Sequence, residues 1–144
     1  MFGMNIRYLK KTPEMNFLKI KETCLYVRDL DRARQFYHEK LGLPMISFVR
    51  DKHAFFRVGS SVLLCFNPDD SKLKKSPPPH FASGRQHFAF EVEREMYSLA
   101  KAEIIAKGIT ITETVVWPSG VESCYFEDPE NNVLEIVPHE GVWE

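Results

Sequence analysis

Three side chains in this sequence have types and positions suited to metal or acid–base chemistry: Glu22, His87 and Glu135. Strand side chains alternate between faces with period two. In LKIKETCLYV (18–27), Leu18, Ile20, Glu22, Cys24 and Tyr26 therefore share one face, while Thr23, Leu25 and Val27 take the other. Glu22 is the one carboxylate on its stripe. Near the end of the chain, Val133, Glu135 and Val137 share a face and repeat the anomaly, with Leu134 and Ile136 behind. His87 and Ala89 form a third such pair, backed by Phe88, Phe90 and Val92. An ionised carboxylate on a water-poor face costs several kcal/mol unless it is paired or metal-bound. Two Glu and one His offer oxygen and nitrogen donors with a charge of −2, which suits Mn, Fe, Ni or Zn, and the lack of a thiolate argues against a closed structural zinc site. The competing reading is that each residue is merely solvated, with Glu22 at a sheet edge between Lys19 and Lys21. Spacing alone does not bring the three together.

The elements that must position these residues recur twice. A strand over 18–27 leads through Asp29, an N-cap residue, into a helix in which Leu30, Ala33, Tyr37 and Leu41 recur at helical spacing beside Phe36, closed by Gly42 and Pro44. Strands are expected over 44–50, 54–58 and 62–66. The segment 67–84 holds four prolines and reads as a loop. The pattern then restarts: a strand over 86–92, a helix over 94–107 with Met96, Leu99, Ala100 and Ile104 as its apolar stripe, Gly108, and strands near 109–116, 121–127 and 132–137. Glu22 precedes Gly42 by 20 residues and His87 precedes Gly108 by 21. Val62-Leu63-Leu64 aligns with Val133-Leu134-Glu135. The chain therefore reads as a duplicated βαβββ unit. Folding back about the DPENN turn (128–132) places Tyr125 opposite Glu135.

Composition narrows the classes. The 144 residues are about one domain, with 44% hydrophobic and 27% charged residues. Nineteen basic against 20 acidic residues give a net charge of −1 and no electrostatic reason to expect nucleic acid or an acidic membrane as partner. No apolar run approaches a membrane span, the N-terminus lacks a secretory signature, and three widely spaced cysteines fit reduced thiols, so a cytoplasmic location is expected. Patterns for phosphate-binding loops, serine hydrolases and EF-hands are missing.

The stretches ETCLYVRDLDRARQFYHEKLGLP (22–44), GRQHFAFEV (84–92) and SCYFEDPENNVLEIV (123–137) resemble the vicinal oxygen chelate superfamily, which includes glyoxalases, bleomycin-resistance proteins and extradiol dioxygenases. The resemblance implies an α+β fold of two βαβββ modules whose mixed sheet curls around a cleft. It places the boundaries at an N-terminal extension (1–17), one domain (18–138) with module one at 18–66, linker loop at 67–84 and module two at 85–138, and a tail (139–144). It implies a metal held by Glu22, His87 and Glu135 and a small oxygen-rich or thiol-conjugated molecule as substrate. With such a metal, Glu135 or Glu22 is expected as the catalytic general base, and Tyr125, from its place opposite Glu135, as the group that holds a substrate oxygen or orients the carboxylate. The competing reading of Tyr125 is a cross-strand aromatic pair. The implied reaction is of lyase, isomerase or dioxygenase type. A non-catalytic antibiotic-binding protein is the alternative. Family members often pair through these sheets, so the resemblance admits a homodimer. Glyoxalase I enzymes use a further carboxylate whose position falls on Leu64, or on Leu63 with a one-residue slip, which disfavours lactoylglutathione lyase activity. Glu22 stands where extradiol dioxygenases usually carry His.

Remaining candidates are weaker. Cys24 shares Glu22's face; Arg57 and Arg85 could receive an anion; Trp117 could cap the cleft; His80 and Phe81 could belong to a lid. His38, His53 and His139 read as surface or turn residues.

Overall fold

The computed structural model describes residues 15–144. Most of the N-terminal extension expected over 1–17 lies outside the described residues. The first module begins with β1 (Glu22–Tyr26), shorter than the expected strand because Leu18 and Ile20 precede any pairing and are exposed. Helix α1 (Leu30–Arg34) starts at Asp29, whose carboxylate accepts the Arg32 N–H at 3.0 Å. It continues as a π-helical stretch over Gln35–Lys40, marked by the Leu41 N–H to Phe36 carbonyl bond at 2.9 Å. The wide turn lets adjacent Phe36 and Tyr37 both reach the core. Gly42, at φ +80°, stops the helix in a conformation that costs other residues about 1 kcal/mol or more.

Strands β2 (Met45–Val49), β3 (His53–Val58) and β4 (Ser61–Phe66) complete a sheet of order β1-β4-β3-β2, in which β1 and β4 are parallel. A short helix, α2 (Pro68–Ser71), interrupts the expected loop; Asn67 caps it through the Asp69 N–H at 3.0 Å. The second module repeats the plan. β5 (His87–Val92), α3 (Tyr97–Ala106), β6 (Glu113–Val116), β7 (Glu122–Glu127) and β8 (Val133–Pro138) give a sheet of order β5-β8-β7-β6, again with the first and last strands parallel. Each mixed sheet has four strands, and the two do not close on each other.

One apolar core spans both modules. It includes Leu25, Val27, Tyr37, Phe56 and Leu63 from the first half and Tyr97, Ile104, Phe126, Leu134 and Ile136 from the second. The expected apolar stripe on the second helix is corrected. A 3-10 turn at Arg94–Met96 precedes α3 and shifts its phase, so Tyr97, Ala100 and Ile104 face the core. Met96 and Leu99 are exposed.

Polar contacts join the halves. Tyr37 donates to Asp128 Oδ2 at 2.7 Å, and Asp128 also receives the Asn132 and Glu130 N–H groups, each at 2.9 Å. Glu130 accepts the Arg28 N–H at 2.8 Å and the Asp29 N–H at 3.2 Å. Gln86 Oε1 accepts the Tyr26 N–H at 2.8 Å on the free side of β1. Among the described residues no helix is long and apolar enough to cross a membrane.

Candidate metal centre

The register explains how two distant residues meet. β5 and β8 run parallel with His87 opposite Val133 and Ala89 opposite Glu135. The side chains of His87 and Glu135 thus occupy one face of neighbouring strands, and His87 Nε2 lies 3.4 Å from Glu135 Oε1. The His87 Nδ1 atom is 2.8 Å from the Val133 carbonyl oxygen. A carbonyl only accepts, so Nδ1 carries hydrogen and Nε2 faces the carboxylate. Nε2 is then either a second N–H in an ion pair or a lone pair available to a cation.

Glu135 is only 5% exposed, and its Oε2 atom is buried without a hydrogen-bond partner. A buried carboxylate oxygen left in this state carries a substantial desolvation cost. β7 sets Tyr125 opposite Glu135, and the Tyr125 ring stacks at 6.0 Å from the His87 ring. Burial, followed by the nearby Glu135 charge, pushes the Tyr125 phenol above its ordinary range, so its hydrogen is retained at neutral pH. An imidazole, a buried carboxylate and a neutral phenol therefore share one sheet face.

Glu22 does not join them within one chain. Among the described residues no three His, Cys, Asp or Glu side chains gather into a metal-binding group. Glu22 is exposed at the start of β1, opposite Val62, on the equivalent face of the other sheet. The two registers superimpose: Glu22–Val62 corresponds to His87–Val133, and Cys24–Leu64 to Ala89–Glu135. Leu64, rather than Leu63, is thus the counterpart of Glu135. Phe55, opposite Leu64, is the counterpart of Tyr125.

The other candidates separate clearly. Cys24 is half-buried, and burial followed by the Glu22 charge raises its thiol pKa, which opposes a nucleophilic role. Arg85 is engaged by Glu127 at 2.5 Å and by the Asn131 carbonyl at 3.0 Å, fastening its own module. Arg57 lies opposite Val62 in the same cross-strand row as Glu22 and makes no ion pair among the described residues. His80 Nδ1 and the Tyr26 hydroxyl are hydrogen-bonded at 2.6 Å and the His80 ring sits edge-on to Phe66, so it pins the Pro-rich loop to the first sheet, while Phe81 is exposed.

His53 is not a turn residue. It is a half-buried member of β3, stacked at 3.9 Å on Phe55 and bonded to Ser47 Oγ at 2.9 Å, and burial lowers its pKa. His38 contacts the Leu43 carbonyl at 2.7 Å, and exposed His139 meets Glu91 at 3.1 Å. Trp117 donates its indole N–H to buried Ser123 at 2.9 Å and lines a cavity of about 810 Å³ with Val115, Tyr125 and Val133. Sequence reasoning singled out Trp117 but missed Val115 and Val133, whose signal was their shared strand face with Tyr125 and Glu135.

Duplicated four-stranded mixed sheets, with a His and a Glu brought together by the closing parallel pair, define a glyoxalase-like fold. The chain belongs to the Glyoxalase/Bleomycin resistance protein/Dioxygenase superfamily, whose sequence model matches residues 19–136. The crystal structure of a lactoylglutathione lyase from Agrobacterium tumefaciens is similar at 33% identity and TM-score 0.79, over 84% of this chain and 93% of that one. Virulence protein STM3117 of Salmonella typhimurium is 26% identical over 144 residues, covering 94% of this chain and 97% of the relative. Its crystal structure aligns with TM-score 0.67.

Proposed function

We propose that this chain is a metal-dependent enzyme of lyase, isomerase or dioxygenase type, acting on a small molecule that presents two adjacent oxygens. His87 and Glu135 would hold the metal together with Glu22 from a second copy of the chain. The observation that carries this reading is the buried, unpartnered Glu135 Oε2 beside an imidazole whose Nδ1–H is already committed to Val133. A hydrogen-bonded Nδ1 fixes the ring so that Nε2 points at the same space as the carboxylate, the arrangement common to metal-binding histidines. Glu22 is exposed on an open sheet and unavailable to the pair within one chain, so a second copy is the economical source of the third donor.

A divalent cation there supplies Lewis acidity toward the substrate oxygens. The chain's own groups would do the rest. Glu135, fixed by burial, holds its geometry, while Glu22, free of hydrogen bonds among the described residues, is the carboxylate able to release and accept a substrate proton. Tyr125 would orient a substrate oxygen or the Glu135 carboxylate. Leu64 in place of a carboxylate disfavours the glyoxalase I ligand set. All three cysteines are free thiols, in keeping with a reducing, cytoplasmic setting.

The test is metal analysis of the full chain after loading with Mn²⁺ and desalting. Wild type is expected to retain one ion per chain, and Glu22→Gln, His87→Ala and Glu135→Gln to lose it. Mixing unfolded Glu22→Gln and Glu135→Gln chains and refolding them together should restore about a quarter of the sites, because half of the dimers contain one intact set. No restoration would exclude donors from two copies. An unloaded wild type would favour the metal-free binding protein instead.

A further inference from the structure

We propose that the cavity beside the His87–Glu135 pair receives a neutral aromatic ring on the substrate, with Trp117 as its fixed wall. This rests on the proposed function, and it specifies the body attached to the chelating oxygens. The cavity opens on the sheet face that carries the pair. Tyr125 lines it and is opposite Glu135; Val133 lines it and is opposite His87; Glu113 lines it and is opposite Tyr125. Neighbouring strands are about 4.8 Å apart. A ring joined directly to the chelating atoms therefore spans from the pair to the cavity without a linker. At about 810 Å³ the space is within the range of small-molecule pockets.

Its walls select the ring. Val115, Trp117, Pro118, Tyr125 and Val133 offer apolar and π surface, and aromatic groups meet such walls with favourable stacked or edge contacts. Trp117 is held in place before any ligand arrives. Its backbone is bonded on both sides of the 117–121 turn, each at 2.8 Å; its indole N–H is fixed by Ser123; and Trp143 from the C-terminal tail packs 6.3 Å from it. Preorganisation of this kind lowers the ordering cost of binding.

The charges select against a different body. Among the described residues, Glu113 is the one charged residue in the lining. Among the described residues no cationic side chain lines the cavity to receive the carboxylates of a glutathionyl group, and Glu113 repels them. Trp143 acts as a positioning residue for Trp117.

The experiment compares mandelate and lactate, two hydroxy acids with the same chelating end but a phenyl against a methyl body, by calorimetry on the Mn²⁺-loaded full chain. Mandelate is expected to bind at least about tenfold tighter, from the area of one buried ring. Trp117→Ala should bring the ratio near one, and Trp143→Ala should reduce it. Val115→Trp, which fills the cavity from the open face, should weaken mandelate and spare lactate, and it serves if Trp117→Ala fails to fold. Equal affinities in wild type, a ratio unchanged by both Trp117→Ala and Val115→Trp, or S-hexylglutathione binding tighter than mandelate would overturn the proposal.

Benzyl alcohol, which cannot chelate, separates the two readings. The chain has two tryptophans, 117 and 143, so its emission reports on this cavity. Benzyl alcohol should alter the emission of wild type with or without EDTA, and leave that of Trp117→Ala unchanged. If EDTA leaves the affinities for both acids unchanged, or if neither acid binds, the metal reading fails and this arm alone decides the aromatic site. A wild-type emission indifferent to benzyl alcohol would then end it.

Discussion

Tyr37 donates its phenolic hydrogen to Asp128 Oδ2 at 2.7 Å, joining a helix of the first module to a turn of the second across 91 residues. Both groups are buried, and burial followed by the Asp128 charge raises the Tyr37 pKa well above its ordinary value. Tyr37→Phe removes a hydrogen bond to a charged acceptor, so urea denaturation should show a loss of about 2 kcal/mol. The two modules should still unfold in one transition, because the apolar core is common to both.

Asp29 makes the local counterpart of that contact, capping α1 through the Arg32 N–H. Asp29→Ala should cost about 1 kcal/mol in the same measurement, and Asp29→Asn much less, because Asn retains a capping oxygen.

Glu122 accepts from Lys101 at 2.8 Å and from Tyr97 at 2.7 Å, and these bonds, Lys101 first, hold its carboxyl below the usual range. A depressed folded-state pKa stabilises the fold at pH above the unfolded value, and that gain disappears as pH falls through the folded value. The stability gap between wild type and Glu122→Gln should therefore be constant above about pH 5 and shrink steadily in more acidic solution. Glu122 is about one-third exposed, so solvent screening keeps the gap within about 1 kcal/mol. Denaturation series at several pH values measure it directly.

Leu64 occupies the position that Glu135 occupies in the other half. In the two-copy arrangement proposed above, Leu64→Glu adds an oxygen donor beside Glu22. Chelator competition should then show slower metal loss by about tenfold or more, since even outer partners of a metal site are worth that much.

The alternation of strand faces was legible because period two is a property of the backbone. The expectation of a water-poor face holds for Glu135 alone: Glu22 and His87 are exposed, as are Leu18 and Ile20 on the stripe of Glu22. The duplication was legible from Gly42 and Gly108, and the register resolves the alternative between Leu63 and Leu64. Other features depended on contacts between distant segments. The phase of α3 was misread because Arg94–Met96 winds as a 3-10 turn, which displaces Met96 and Leu99 from the core. His53 looked like turn chemistry in DKH, yet its stacking on Phe55 is a strand property. Nothing in local pattern reveals that Glu22 stands apart from the pair, because that depends on how the two sheets are disposed.

Gln86 gives the fold one more property. Its side-chain amide reaches the outer backbone of β1 and imitates another peptide unit, with Oε1 on the Tyr26 N–H and Nε2 3.4 Å from the Tyr26 carbonyl. At that residue the inner border of the first sheet is already sealed against a foreign strand seeking to zip onto it. Within the first sheet, templated fibril growth from a native molecule is therefore directed toward the other border, β2, and charged replacements there would be the rational route to a more aggregation-resistant protein.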